Sequence, residues 1–335
     1  MWTLVLTLQF LLFIAIWNIN YPETTLLVLF ELRKVALGEF FDNIPIGDEL
    51  AKFFNIPSKE DSSTEQKMDE TRVGSADIFA SFGPTLVLVS AILAGLVILV
   101  ICSVYLSRRL GCSQKCKSCF TRIQDKIFWN SFIRYILMNA LKLLMASIVV
   151  FKLGVKKDQQ LAVAIAILTA LTLAFMLFYC MLKKYQSSLG AETTKKRMST
   201  LYVGRNVNYE KHGSHRFPVA FFLRRLVFTV VTVYLLDYPA MQMIFQQLLT
   251  MAAIVHLAYD TRALSSSMQK IVEMGSEILL LLACTLLAQF NAFGPDDKKK
   301  RFAIEICFLV VLALLALLNL VALIKEIVLA WMENQ

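Results

Sequence analysis

Apolar residues in this chain are gathered into runs of about 20, separated by polar connections, and runs of that length cover ~30 Å of hydrocarbon at 1.5 Å per residue. Residues 1–18 (MWTLVLTLQFLLFIAIWN) form the first run. It lacks a basic leader and a small-residue cleavage site, so it reads as a spanning helix that stops at Trp17 and the Tyr21-Pro22 pair. Residues 84–106 form a second run, in which Ser90, Ala91, Ala94 and Gly95 offer a small-residue face for close packing. Residues 131–182 read as a transmembrane hairpin, 131–153 out and 161–182 back. The remaining stretch, 217–331, reads as four more spans: 217–237, 240–259, 270–290 and 302–331. The pattern therefore predicts an all-α, polytopic membrane bundle of about eight transmembrane helices.

The polar connections orient it. Residues 19–83 hold 12 acidic and 6 basic residues, with an amphipathic stretch (LLVLFELRKVALGEFF) followed by a segment nearly devoid of apolar side chains. They read as an acidic extracytosolic loop. Residues 107–130 (six basic, one acidic) and 183–216 (eight basic, two acidic) read as cytosolic loops under the positive-inside bias. Eight spans then leave both N and C termini cytosolic. The run DDKKKR at 296–301 stands against this bias on the outer side, and is short and partly self-neutralising.

Composition adds little to that frame. The chain is 57% hydrophobic with a formal charge of +9, but its basic residues lie between the apolar runs, so nucleic acid is excluded as a partner and membrane lipids are implied. Four of the seven cysteines (Cys102, Cys180, Cys284, Cys307) fall in apolar runs and are expected in the core. Cys112, Cys116 and Cys119 lie in a basic loop. They read as reduced thiols, with lipidation as the alternative chemistry, since three thiols fall short of a four-ligand zinc site. No cofactor, metal or nucleophile motif is present, and the chain does not read as an enzyme.

Candidate chemistry resides in charges inside the spans. Arg224 and Arg225 interrupt 217–237, at a cost of at least ~2.5–3.5 kcal/mol for each arginine deep in hydrocarbon. Acids inside apolar runs occur at Glu273 and Glu277, and at Glu305 and Glu326. By residue count, Arg224, Arg225 and Glu277 all lie roughly 12 Å inside the cytosolic boundary. Glu273 shares a face with Glu277 one turn nearer the cytosol, at the level of Arg134. The expectation is one buried charge cluster of Arg224, Arg225, Glu277, Glu273 and Arg134, serving either to lock helices or to gate a pathway. Lys142, Asn139, Gln246 and Gln247 are candidate cavity-lining polar groups, the glutamines also candidates for interhelical hydrogen bonds.

Several segments carry a family likeness. LQFLLFIAIWNINYPETTLLVL (8–29) with FFDNIPIGDEL (40–50), FWNSFIRYILMNALKLLMASIV (128–149), and STLYVGRN (199–206) with FPVAFFLRRLVFTVV (217–231) resemble the transmembrane region of transient-receptor-potential-like proteins of the polycystin and fungal flavin-carrier type, as found in multi-pass proteins of ciliated protists. The resemblance implies a cation-channel-like subunit in a plasma or ciliary membrane, built as a homo-oligomer or with other membrane proteins. No targeting segment separates this from an organelle membrane such as the mitochondrial inner membrane. The turns at 237–239 and 291–301 are too short for a pore helix and filter, which sets beside it the alternative of a non-conducting structural or accessory subunit of a larger membrane assembly.

Overall fold

A computed structural model describes residues 7–11, 13, 21–22, 24–25, 27–29, 32, 132–153, 158–185, 201, 217–259, 267–292 and 297–333. The expected span at 84–106, the Cys-containing loop at 107–130, nearly all of the loop at 183–216 and most of the acidic loop at 19–83 lie outside the described residues. Every regular element among the described residues is helical. Six long helices follow one another: α1 (Phe132–Leu153), α2 (Asp158–Lys184), α3 (Phe217–Tyr234), α4 (Pro239–Tyr259), α5 (Ser267–Ala292) and α6 (Lys298–Glu333).

Each helix buries a stripe with helical spacing. In α1 it runs through Ile133, Leu137, Ala140, Leu141, Leu144, Met145 and Ile148, the i, i+4, i+7, i+8 pattern of one face. In α3 it is Phe221, Arg225, Phe228, Thr229, Thr232 and Val233, while Leu223, Val227, Val230 and Tyr234 are exposed. Helix α4 inverts the pattern of a soluble protein. It buries Gln242, Gln246 and Thr250 with Met243, and exposes Met241, Ile244, Phe245, Leu248, Met251 and Val255. In water that arrangement would leave a large apolar patch open to solvent; in hydrocarbon it is the favourable one, because interior polar groups hydrogen-bond each other and the outer face needs no water.

Four of these helices, over Leu161–Lys184, Pro239–Tyr259, Ser267–Phe290 and Lys298–Lys325, are long and apolar enough to cross a membrane. Helices α1 and α3 are the ones that carry Arg134, Lys142 and Lys152, and Arg224 and Arg225.

Packing follows chain order. Helix α1 lies against α2 and α3, α2 also touches α3, and the contacts then pass from α3 to α4, α4 to α5 and α5 to α6. The turn after α3 is closed by Leu235 N–H to Val231 C=O (3.1 Å) and Tyr238 N–H to Leu235 C=O (2.9 Å). Pro239 then opens α4 at the first helical position, where a missing N–H costs nothing. Lys152, in the last turn of α1, donates from Nζ to Val233 C=O at 2.8 Å. A cation thus satisfies an orphan carbonyl at the negative end of α3 and ties the C-terminal ends of α1 and α3 together.

The N-terminal run is central. Leu8, Phe10, Leu11 and Phe13, with Leu29, join one core with residues of α1, α3, α5 and α6. A second core joins α1, α2 and α3 with Leu201. Of the cysteines expected in the core, Cys284 is buried but Cys180 and Cys307 are exposed, and Cys102 lies outside the described residues. A thiol is apolar enough to face lipid, so membership of an apolar run does not decide which side it takes.

Helices α5 and α6 approach closely at Gly275, where an added Cβ would stand 2.8 Å from Leu318 Cδ2. One residue on, Asn319 Nδ2 donates to Ser276 Oγ at 3.4 Å and to Leu315 C=O at 2.9 Å. Small residues let the backbones approach and an amide supplies the polar contact. Gly275→Leu is expected to force these helices apart and destabilise the protein by about 1–3 kcal/mol, read as a lower Tm and folded yield in detergent. Gly275→Ala meets only the end of a flexible leucine and is expected to fall well below that.

Candidate functional site

The site grows from two adjacent positions on α3. Successive residues of a helix point about 100° apart, so Arg224 and Arg225 cannot share one environment, and they do not. Arg224 reaches across to α5. Its Nη1 donates to Glu277 Oε1 at 2.5 Å and its Nη2 to Glu277 Oε2 at 2.7 Å. This is a two-pronged, end-on pairing of a planar guanidinium with a carboxylate, the strongest form of charge-assisted hydrogen bond between side chains. Both side chains are largely enclosed, 18% and 15% exposed.

Arg225 turns inward and is 2% exposed. The Phe221 ring lies 3.5 Å from its Cζ, one helical turn earlier on the same face. The Phe10 ring covers both arginines, 4.7 Å from Arg224 Cζ and 5.3 Å from Arg225 Cζ. These are cation–π contacts, each worth about 0.5–2 kcal/mol and strongest when water is kept out. Phe10 is held edge-on against Phe228 at 4.9 Å, and Phe221 stacks on Phe175 of α2 at 6.0 Å. Phe175 also stacks on Phe222 at 4.7 Å. The arginine layer is therefore walled by aromatic rings from the N-terminal run, α2 and α3.

The other expected cluster members lie on α5 and α1. Glu273, one turn before Glu277, is half-buried and accepts from Gln269 Nε2 at 3.3 Å. Arg134 is exposed in the first turn of α1, while Asn139 and Lys142 are half-buried further along that helix. The glutamines of α4 bind its surroundings. Gln242 Nε2 donates to Thr232 C=O of α3 at 2.7 Å, and Gln247 Nε2 to Thr285 Oγ1 of α5 at 3.3 Å. Gln246 Nε2 stays within α4, at 3.5 Å from Thr250 Oγ1. Cys112, Cys116 and Cys119 lie outside the described residues.

Two contacts, one at the arginine pair and one away from it, are not apparent from depth counting. Phe10 lies more than 200 positions from the arginines it covers, and nothing in an apolar run distinguishes it from Phe13. Glu305 is 8% exposed and accepts a hydrogen bond from Thr25 Oγ1 at 3.3 Å. Its sequence signal, an acid inside an apolar run, is plain, but its partner is a neutral hydroxyl that charge matching does not seek.

Chemically the arrangement holds helices together. Among the described residues there is no group of three His, Cys, Asp or Glu side chains placed to hold a metal ion. Comparison with protein-family models, curated proteins and solved structures finds no match to the chain.

Breaking the pair from either side leaves a charge stranded in an enclosed place, which commonly costs 3–5 kcal/mol in a buried setting. Because both groups keep some exposure, Glu277→Gln and Arg224→Gln are each expected to destabilise by about 2 kcal/mol or more, with the double variant well short of the sum. A double-mutant cycle on thermal unfolding in detergent measures this. Additive effects would show that the two side chains do not depend on each other.

Proposed function

We propose that the chain is an eight-span integral membrane protein, with both termini cytosolic, that acts as a non-conducting helical component of a larger membrane assembly. The observation that carries this reading is the mutual use of the interior polar groups. Glu277 takes Arg224, Gln242 takes Thr232, Gln247 takes Thr285 and Asn319 takes Ser276. A permeation path needs polar groups that turn to the ion and replace its hydration shell. Here the amide nitrogens bond between or along helices, with the Gln242, Gln246 and Asn319 side-chain oxygens buried and unbonded, while the apolar faces turn outward to lipid or to neighbouring membrane proteins. The arginine layer also sets two cations against one carboxylate, a local surplus of positive charge that repels a permeant cation.

The second reading is a transient-receptor-potential-like cation-channel subunit in a plasma or ciliary membrane. It is favoured by the meeting of segments that carry the resemblance: Ile133 and Leu137, Leu201, and Phe221 share one core, and Phe10 stands over the paired arginines. In that reading the pore lies between protomers of an oligomer.

Reconstitution into planar bilayers separates the two. The intact protein is expected to give no cation current under stretch, lipid or calcium stimuli, and a reproducible current abolished by blocking the oligomer centre would favour the channel. The Glu277→Gln variant is expected to lose folded yield rather than to alter a current. Tags at the two termini are expected to be reached by protease from the same, cytosolic, side; opposite accessibility would overturn the eight-span topology.

A further inference from the structure

The start of α1, the end of α2 and the start of α3 meet at one end of the bundle, where Ile133, Leu137, Phe178, Leu182 and Phe221 share a buried core. Exposed cations stand beside that core. Arg134 follows Ile133 in the first turn of α1, and Lys183 and Lys184 follow Leu182 in the last turn of α2. Lys184 Nζ lies 5.7 Å from the Tyr185 ring, and tyrosine is a side chain that settles at membrane boundaries. Toward mid-helix the outer face of α2 is apolar. Leu173, Met176, Leu177 and Cys180 are exposed there, on the stripe that ends at Lys184. The chain attaches most of its positive charge to the same end. Residues 107–130, six basic against one acidic, lead into α1, and residues 183–216, eight basic against two acidic, join α2 to α3. These two segments together outweigh the +9 of the whole chain, so the remainder is net negative.

We propose that this end of the bundle is a docking surface for anionic phospholipids, whose headgroup oxygens meet Lys183, Lys184 and Arg134 and whose acyl chains lie along the exposed α2 stripe. The proposal rests on the reading of the chain as an integral membrane protein and adds which lipid that protein selects. Charge complementarity names the partner. A lysine or arginine held at an anionic leaflet is worth roughly fivefold in affinity, and a zwitterionic headgroup has no net charge to return. Lysine also suits the place by shape. Its aliphatic stem covers apolar surface while its ammonium reaches out to the headgroups, so one side chain serves both halves of the lipid. The stripe and the cations are adjacent on α2, which lets a single lipid molecule touch both.

The test is photolabelling of the full chain in phosphatidylcholine nanodiscs that carry a trace of diazirine-bearing phosphatidylserine or, in parallel, the matching phosphatidylcholine probe, with adducts mapped by peptide mass spectrometry. Adducts on residues 173–180 are expected to be roughly fivefold or more abundant with the serine lipid at low salt, and the excess is expected to fade at ~1 M salt. Lys183→Gln combined with Lys184→Gln is expected to remove most of the excess, whereas Lys183→Arg combined with Lys184→Arg keeps it. Soluble glycerophosphoserine is expected to compete poorly, because it brings a headgroup without chains. Equal labelling by the two probes, an excess that survives in the folded glutamine variant or at high salt, or full competition by the soluble headgroup would overturn the proposal, the first of these leaving the basic end to an acidic protein partner. Labelling of the chain by neither probe would overturn the membrane reading along with it.

Discussion

A guanidinium inside hydrocarbon must find a partner, and the bundle is arranged around how two of them do. Arg224 takes a full carboxylate from α5 in a two-pronged pair, while Arg225 takes aromatic faces. Because α3 and α5 are not neighbours in sequence, the pair fixes their relative height and rotation in a way that apolar contact alone does not. Leucines slide past one another at little cost; a two-pronged ion pair does not. Helix α4 packs against both α3 and α5, and its Gln242 and Gln247 donate to α3 and α5 respectively.

The same constraint explains the place of the N-terminal run. A layer of two arginines and one carboxylate needs walls that tolerate charge yet exclude water, and phenyl rings do both. Phe10 supplies the ring that faces both guanidiniums, and Leu11, Phe13 and Leu29 bury completely or nearly so around it. This run is therefore part of the core rather than an appended anchor. The far end of the bundle is held by separate polar contacts: Lys152 on the Val233 carbonyl of α3, and Glu305 with Thr25.

Polar interior and apolar exterior together support the membrane reading more strongly than hydrophobic content does. Content alone is compatible with an unusually greasy soluble core. The inversion along α4, with Gln242, Gln246 and Thr250 inside and Leu248, Met251 and Val255 outside, is unfavourable in water and natural in lipid. Along α4 the amide of Gln242 donates to α3 and that of Gln247 to α5, while Gln246 and Thr250 bond within the helix.

By itself the sequence determined that the chain is helical, that its runs match a bilayer, and that Arg224, Arg225 and Glu277 lie at one depth. Those properties depend on period, length and residue counting, which are local. Only the tertiary structure decided which of the two arginines takes the acid, because adjacent helical positions point about 100° apart and rotation about the axis is set by packing. It likewise decided that Phe10 covers the pair, that Glu305 meets a threonine, and that Cys180 and Cys307 face outward while Cys284 turns in. An apolar run has no inside in one dimension. It acquires one only when other helices occupy one of its sides.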